Sequence, residues 1–313
     1  MIKNFVWRVL GSLVLLVVVP TVTFFLQAIA PVNIARSVLG LNASEETVAA
    51  FNKRLGLDQP LVVRYVDWLT HAIHGDLGVS YTNLQPVQNI IGPRLSVSLS
   101  LIVGALLVFT LVGVLLGVLS ATGGKVVGSI VDAVSTVGLA VPSFVLAVLL
   151  IAAFALQFPI FPATGYVAPT VNTGRWASSL VLPVIALAFA GVTAVAKQTR
   201  DQMMTSIASP YARTLRANGA SEFSLIYKHA LRNASGPVVT VLGIIFVGAL
   251  SGSVVVEGIF VLPGLGSQAL QSALQHDLPV IQGIALYFTI IVVIVNVLID
   301  VATTILNPKV RRS

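Results

Sequence analysis

Chemistry in a protein needs nucleophiles, metal ligands or charges in a usable arrangement, and this sequence offers few. None of its 313 residues is cysteine, which excludes disulfides, thiolate metal sites and a cysteine nucleophile. His71 and His74 stand three residues apart with Asp76 nearby. That is too little for a metal site, and Gly75-Asp76 reads as turn chemistry. Gly123-Gly124-Lys125 lacks the upstream glycine spacing and the following Ser or Thr of a phosphate-binding loop, so the chain carries no nucleotide motor of its own. Neither His-Glu-x-x-His nor Gly-x-Ser-x-Gly occurs, which argues against the hydrolases that use them. Asp132, Glu257 and Asp300 fall near the ends of apolar runs, where snorkelling or helix-end contacts accommodate a charge. An ion-coupled carrier would place such groups mid-membrane. Gln198, Thr289 and Asn296 lie within the runs, and hydrogen bonds across helices account for them.

The densest cluster of polar chemistry is Ser209 to Pro237, a charged island in an apolar chain. Its local signals predict two short helices. Ser209 caps the first, with Pro210 at the first helical position, where a missing N–H costs nothing. Asn218-Gly219 supplies a left-handed stop. Ser221 caps the second, with Glu222 in its first turn near the positive end of the dipole. The spacing of Phe223, Ile226 and Tyr227 puts them on one side. Arg213, Arg216, Lys228 and Arg232 make the island cationic.

The elements that must hold this island are apolar runs. The sequence is 56% hydrophobic and 9% charged, with a mean hydropathy of +0.96. Those values define an all-α polytopic membrane protein and exclude a soluble one. Six spans are predicted: about Val9 to Ile29, Leu95 to Leu119, Ile130 to Leu156 with a kink at Pro142, Leu180 to Ala196, Val238 to Val256, and Ile284 to Leu306. Ala28-Ile29-Ala30 looks like a signal-cleavage site, but the run is long and Pro31 would follow the cut, so it is read as a retained helix. A long loop, 31–94, follows the first span. Within it Ser44 caps a helix that Gly56 ends, and Pro60 opens another with Leu61, Tyr65, Trp68 and Leu69 on one face. Beside a membrane, such a face lies along the interface or packs on neighbouring helices. Gly104, Gly113 and Gly117 allow close helix contacts. Of 18 basic residues, twelve fall on one side of this topology: Lys3, Arg8, Lys125, Lys197, Arg200, Arg213, Arg216, Lys228, Arg232, Lys309, Arg311 and Arg312. The positive-inside rule makes that side, with both termini and the island, cytoplasmic. The net charge of +7 is therefore topology rather than a nucleic-acid surface.

The island resembles the cytoplasmic coupling loop of ABC-importer permeases in the peptide and nickel branch. That branch reads Tyr-x-Arg-Thr-Ala-Arg-Ala-x-Gly and, further on, His-Ala-Leu-Arg-Asn. Tyr211, Arg213, Thr214, Arg216, Ala217, Gly219, His229, Ala230, Leu231, Arg232 and Asn233 stand at the same spacing. Leu215 departs, standing where the branch has alanine, which bears on how the first short helix packs. Leu55 to Pro60 and His74 to Ser80 also resemble that branch. So does an outer Glu-x-Ile-Phe-x-x-Pro-Gly-Leu-Gly tract, met here by Glu257, Phe260, Pro263, Gly264 and Gly266, with Asp277, Pro279, Val280, Gln282 and Gly283 beyond it. The resemblance implies a single permease domain over 1–313, with a core of 95–306 and a coupling loop of 200–236. It implies a non-catalytic subunit forming half of a pathway for peptides or similar small solutes in a bacterial inner membrane. The implied partners are a second homologous permease, two ATPase subunits that carry ATP and Mg, and an extracytoplasmic substrate-binding protein near the outer tract. The chain itself would bind no cofactor or metal. A lone secondary transporter or channel is the alternative from another class, and a catalytic membrane enzyme comes third.

Overall fold

A computed structural model describes residues 2–29, 33–40 and 42–306, without the side chains of 2–10, 28 and 139. The predicted Pro31 boundary and the terminal Asn307-Pro308 with Lys309, Arg311 and Arg312 lie outside the described residues. Those described are helical throughout their regular structure, apart from one isolated bridge between Val79 and Pro86. The helices are α1 (Ile2–Ala28), α2 (Ile34–Leu39), α3 (Glu45–Arg54), α4 (Leu61–Ile73), α5 (Val87–Thr122) and α6 (Gly124–Ala140). Then come α7 (Ser143–Ile151, prolonged by a π-helical segment Ala152–Gln157), α8 (Thr173–Ala208) and α9 (Pro210–Ala217). The last are α10 (Leu231–Ile259, entered through a π-helical segment Ser224–Ala230), α11 (Leu265–Leu274) and α12 (Leu278–Leu306).

Among the described residues, α5, α8, Ser224–Ile259 and α12 are long and apolar enough to cross a bilayer. The pair α6 and α7 would add a fifth crossing, although it bends by 99°. The molecule is thus a multi-pass membrane protein. A single kinked helix was expected over Ile130 to Leu156, and the helix is broken instead. Val141 is extended (φ −82°, ψ 116°) because the ring of Pro142 crowds the residue before it out of the helical region. Pro142 O then accepts from Val145 N at 3.1 Å and restarts the helix.

Other helices outrun their apolar runs. α5 begins at Val87 rather than about Leu95, so 87–94 are helix and not loop, and Pro93 is carried inside it. α8 runs 36 residues from an Asn172 cap to Ala208, well past Ala196. α12 begins at Leu278 rather than about Ile284. α8 persists because no Gly or Pro intervenes between Ala196 and Pro210, whereas α5 and α12 carry Pro93 and Pro279 within their added turns.

The chain forms two compact units. The first comprises 99–262 and 294–306 of the described residues. Its helices approach closely at glycines. A Cβ on Gly104 would lie 2.9 Å from Val184, on Gly113 2.7 Å from Val195, and on Gly117 2.5 Å from Thr199. α5 is thereby pressed along α8, as small residues permit within a membrane. Val118, Met203, Ala230 and Ala234 form a buried cluster, with Val114, Ile207, Ile226 and Leu231 packed around it. The second unit comprises 2–98 and 263–293. One of its clusters gathers Leu77, Val87, Ile90, Ile91, Leu265, Val280 and Ile284. Another gathers Phe24, Tyr81 and Leu278, with Phe25, Leu55, Leu57, Leu61 and Tyr65 beside them. Here Asp277, 2% exposed, accepts from Tyr81 N at 3.0 Å, from Thr82 Oγ1 at 2.8 Å and from the Ser80 hydroxyl. Three donors satisfy its buried carboxylate.

Candidate functional site

The polar island hangs from the ends of two long helices. Ser209 ends α8 and caps α9: its Oγ accepts from Ala212 N at 3.3 Å and donates to Ser206 O at 2.7 Å. Pro210 takes the first helical position. Gly219 adopts φ +82°, and around it Gly219 N reaches Arg216 O and Ala220 N reaches Leu215 O, both at 3.0 Å. These bonds satisfy the last carbonyls of α9, as a left-handed cap does. Ser221 Oγ then accepts from Ser224 N at 3.3 Å. All the predicted caps are present. The second short helix is not separate, however, because the helical backbone from 222 continues without a break into α10.

Burial sorts the side chains into two sets. Ala212, Leu225, Ala230 and Ala234 face inward at 1% exposure each, and Ala230 and Ala234 seat the segment on the cluster around Met203. Tyr211, Arg213, Thr214, Arg216, Ala217, Gly219, Arg232 and Asn233 are exposed, while His229 and Leu231 are half-buried. Phe223 and Tyr227 project outward with ring centroids 4.6 Å apart. Ile226 instead packs inward against the Met203 cluster, so the expected three-residue face is an outward aromatic pair. Ile226 turns away because the π-helical segment takes more residues per turn than an α-helix.

Two clasps hold the segment closed. Arg216 grips Glu222 with both fork nitrogens, Nε to Oε1 at 2.6 Å and Nη2 to Oε2 at 3.1 Å. This bond holds the Glu222 carboxyl below its usual range and raises Arg216 in turn. Tyr211 OH lies 3.0 Å from His229 Nδ1, with the rings edge to face. Asn233 Nδ2 donates to Ser206 Oγ at 3.3 Å, tying α10 back to α8. Thr214 Oγ1 donates back to Pro210 O at 3.2 Å. Nearer the first unit's core, Arg200 Nη1 of α8 lies 2.9 Å from Asp132 Oδ2 of α6.

The residues of the outer tract are mostly interior. Glu257 and Phe260 are 0% and 1% exposed, Gly264 and Gly266 are buried, and Pro263 is exposed. The carbonyl of Glu257 accepts from Leu262 N at 2.8 Å, and that of Phe260 accepts from Gly165 N at 2.9 Å. His71 and His74 each donate Nδ1–H to a carbonyl four residues back, at 2.8 Å. The first of these bonds, with the Asp67 carboxylate beside it, raises the pKa of His71. Asp76 Oδ1 accepts from Gly78 N at 2.9 Å, the turn expected of it. Sequence reasoning missed the Arg216–Glu222 clasp, although a six-residue spacing across a Gly turn hinted at it. It also missed the Asp132–Arg200 pair and the Asp277 cage. The cage joins residues 197 apart, and no local signal marks it.

The segment thus places exposed aromatic and basic groups at the ends of long apolar helices. Residues 113–312 match the family described as the binding-protein-dependent transport system inner membrane component. Residues 1–102 match the N-terminal part of the same kind of component. A protein of Brucella abortus described as a peptide transport system permease is 39% identical over 312 residues, covering 97% of each chain. A peptide ABC transporter permease protein of Sinorhizobium fredii and a glutathione transport system permease protein of Salmonella choleraesuis are each 33% identical over 305 residues, again covering 97% of both chains. The chain belongs to the binding-protein-dependent transport system inner membrane component family. It is a permease subunit of an ABC importer, in the peptide branch.

Proposed function

We propose that the segment from Tyr211 to Asn233 docks on a partner ATPase and passes that subunit's closure to the membrane helices. One observation carries this reading: an exposed aromatic and basic surface is clasped shut at the tips of α8 and α10 while its inner face is buried. A segment so held moves as a body with both helices. In the arrangement proposed, the chain crosses a bacterial inner membrane six times, α1 and the bent pair α6–α7 included, with both termini and the coupling segment in the cytoplasm. Two ATPase subunits hold ATP and Mg. A second, homologous permease supplies the other half of the pathway. A substrate-binding protein delivers cargo at the outer side, where Glu257, Phe260, Pro263, Gly264 and Gly266 line or support the entry. The names of the relatives support peptides, or a peptide-like solute such as glutathione, as cargo.

Closing the ATPase pair would draw the coupling segments together and turn the permeases from inward- to outward-facing, and hydrolysis would reset them. The test is a pull-down of the tagged chain from mild detergent with identification of its partners. A second permease, ATPase subunits and a binding protein are expected. Recovery of the chain alone, under conditions that preserve known complexes, would favour a lone transporter and overturn the reading.

A further inference from the structure

Helix α4 is too short to cross a membrane, and its sides fall into three sectors. Leu61, Tyr65, Trp68 and Ala72 pack on the second unit's clusters. Asp67, Thr70 and His71 form a polar side. Between them, at helical spacing, Val62, Val66 and Ile73 make an apolar stripe 63%, 50% and 76% exposed.

The contact with α1 sets the depth of this stripe. Tyr65 OH bonds Thr21 Oγ1 at 2.5 Å, and its ring stands 5.3 Å from Phe24 and 5.7 Å from Phe25. α1 is 27 residues long, centred on Leu15. At 1.5 Å per residue, Thr21 lies about 9 Å and Phe25 about 15 Å from that centre, within or at the edge of a hydrocarbon half-thickness of roughly 15 Å. Neighbouring positions on α1 expose Leu13, Val14, Val17, Val18 and Val22, as a lipid-facing helix does.

We infer that α4 is an interfacial helix of the outer leaflet, its Val62–Val66–Ile73 stripe buried among lipid acyl chains and its Asp67–His71 side turned to headgroups and water. This rests on the proposed crossing by α1. A helix with one apolar and one charged side, tied at that depth, gains by burying the apolar side in lipid. The first outer loop is then anchored to the bilayer at two places, α1 and α4.

The absence of cysteine makes the test direct. Single variants Val66→Cys, Ile73→Cys, Asp67→Cys and Leu15→Cys of the full chain are spin-labelled in phosphatidylcholine–phosphatidylglycerol nanodiscs, and collisions with oxygen and with a water-soluble nickel chelate are compared. Labels at 66 and 73 are expected to favour oxygen several-fold, with the label at 67 favouring nickel. Nickel-accessible labels at 66 and 73 would place the stripe in water, and labels reached by neither would place it under protein; either result overturns the inference. Leu15→Cys keeps the two readings apart. If 15 is deep in lipid while 66 and 73 are not, only the inference about α4 fails; if 15 is itself in water, the crossing by α1 fails.

Discussion

Gly219 closes the turn after α9 at φ +82°, where a residue with a Cβ pays about 1–2 kcal/mol. Gly219→Ala is therefore expected to weaken ATP-driven uptake without abolishing it. Gly219→Pro fixes φ near about −65° and deletes the N–H that reaches Arg216 O. It should leave the chain in the membrane, by immunoblot, yet stop uptake in proteoliposomes. Uptake at the unmodified rate would remove the coupling assignment. Arg213 and Arg216 are both exposed, but Arg216 is spent on Glu222. Arg213→Glu should weaken recovery of the ATPase by opposing its docking charge. Arg216→Glu should do so by springing the clasp, so the exchange Arg216→Glu with Glu222→Arg should restore it. An exchange variant no better than the single one would show that Arg216 itself contacts the partner. The clasp also has a pH signature. Because the folded carboxyl of Glu222 lies below its ordinary 4.5, the clasp stabilises the segment fully above that value and loses this as pH falls through the folded pKa. Carboxyl NMR of labelled Glu222 should titrate below 4.5 and move up in Arg216→Gln.

Glycines decide how closely helices approach, and they differ in what surrounds them. A Cβ on Gly117 would meet Thr199 Cβ at 2.5 Å and Ala196 O at 2.6 Å, whereas nothing lies within 4 Å of one on Gly248. Gly117→Ala should lower stability by about 1–3 kcal/mol through overpacking, while Gly248→Ala should be neutral or slightly stabilising. Thermal unfolding in detergent checks both, and equal shifts would mean that α5 and α8 are not in close contact. Gly117 was legible as a contact site because small residues in an apolar run have few other uses. Caps were legible for a similar reason: Ser44, Ser209 and Ser221 each bond to an N–H three residues ahead. Helix ends were less so. After Ala196 the composition turns polar at Lys197, Arg200 and Asp201, which resembles a loop. Yet no Gly or Pro intervenes before Pro210, so α8 continues. Nor did the sequence reveal that Ile226 turns inward, since a π-helical segment shifts the period by which faces are counted. Partners far apart in the chain, such as Asp277 and Ser80, leave no periodic trace at all.

A transporter must carry a movement across the bilayer, and α8 has the dimensions for it. Its 36 residues extend about 54 Å, against a hydrocarbon core of about 30 Å. One continuous rod thus passes from the Asn172 cap to the segment proposed to couple to the ATPase. The pair Asp132–Arg200 ties that rod to α6 near its polar end: Arg200 Nη1 lies 2.9 Å from Asp132 Oδ2, and the side chains are 24% and 38% exposed. A pair so placed is worth more than an open surface bridge and less than a buried one, so breaking it should cost between about 1 and 3 kcal/mol. The chain folds around many other contacts, so the loss should appear in transmission before it appears in assembly. Asp132→Asn and Arg200→Gln are expected to retain the ATPase in a pull-down while lowering substrate moved per ATP hydrolysed. The exchange Asp132→Arg with Arg200→Asp should recover part of that ratio, because attraction between the helices returns though the geometry does not. If both single variants transport at the unmodified ratio, α8 moves independently of α6, and the coupling segment drives α8 and α10 alone.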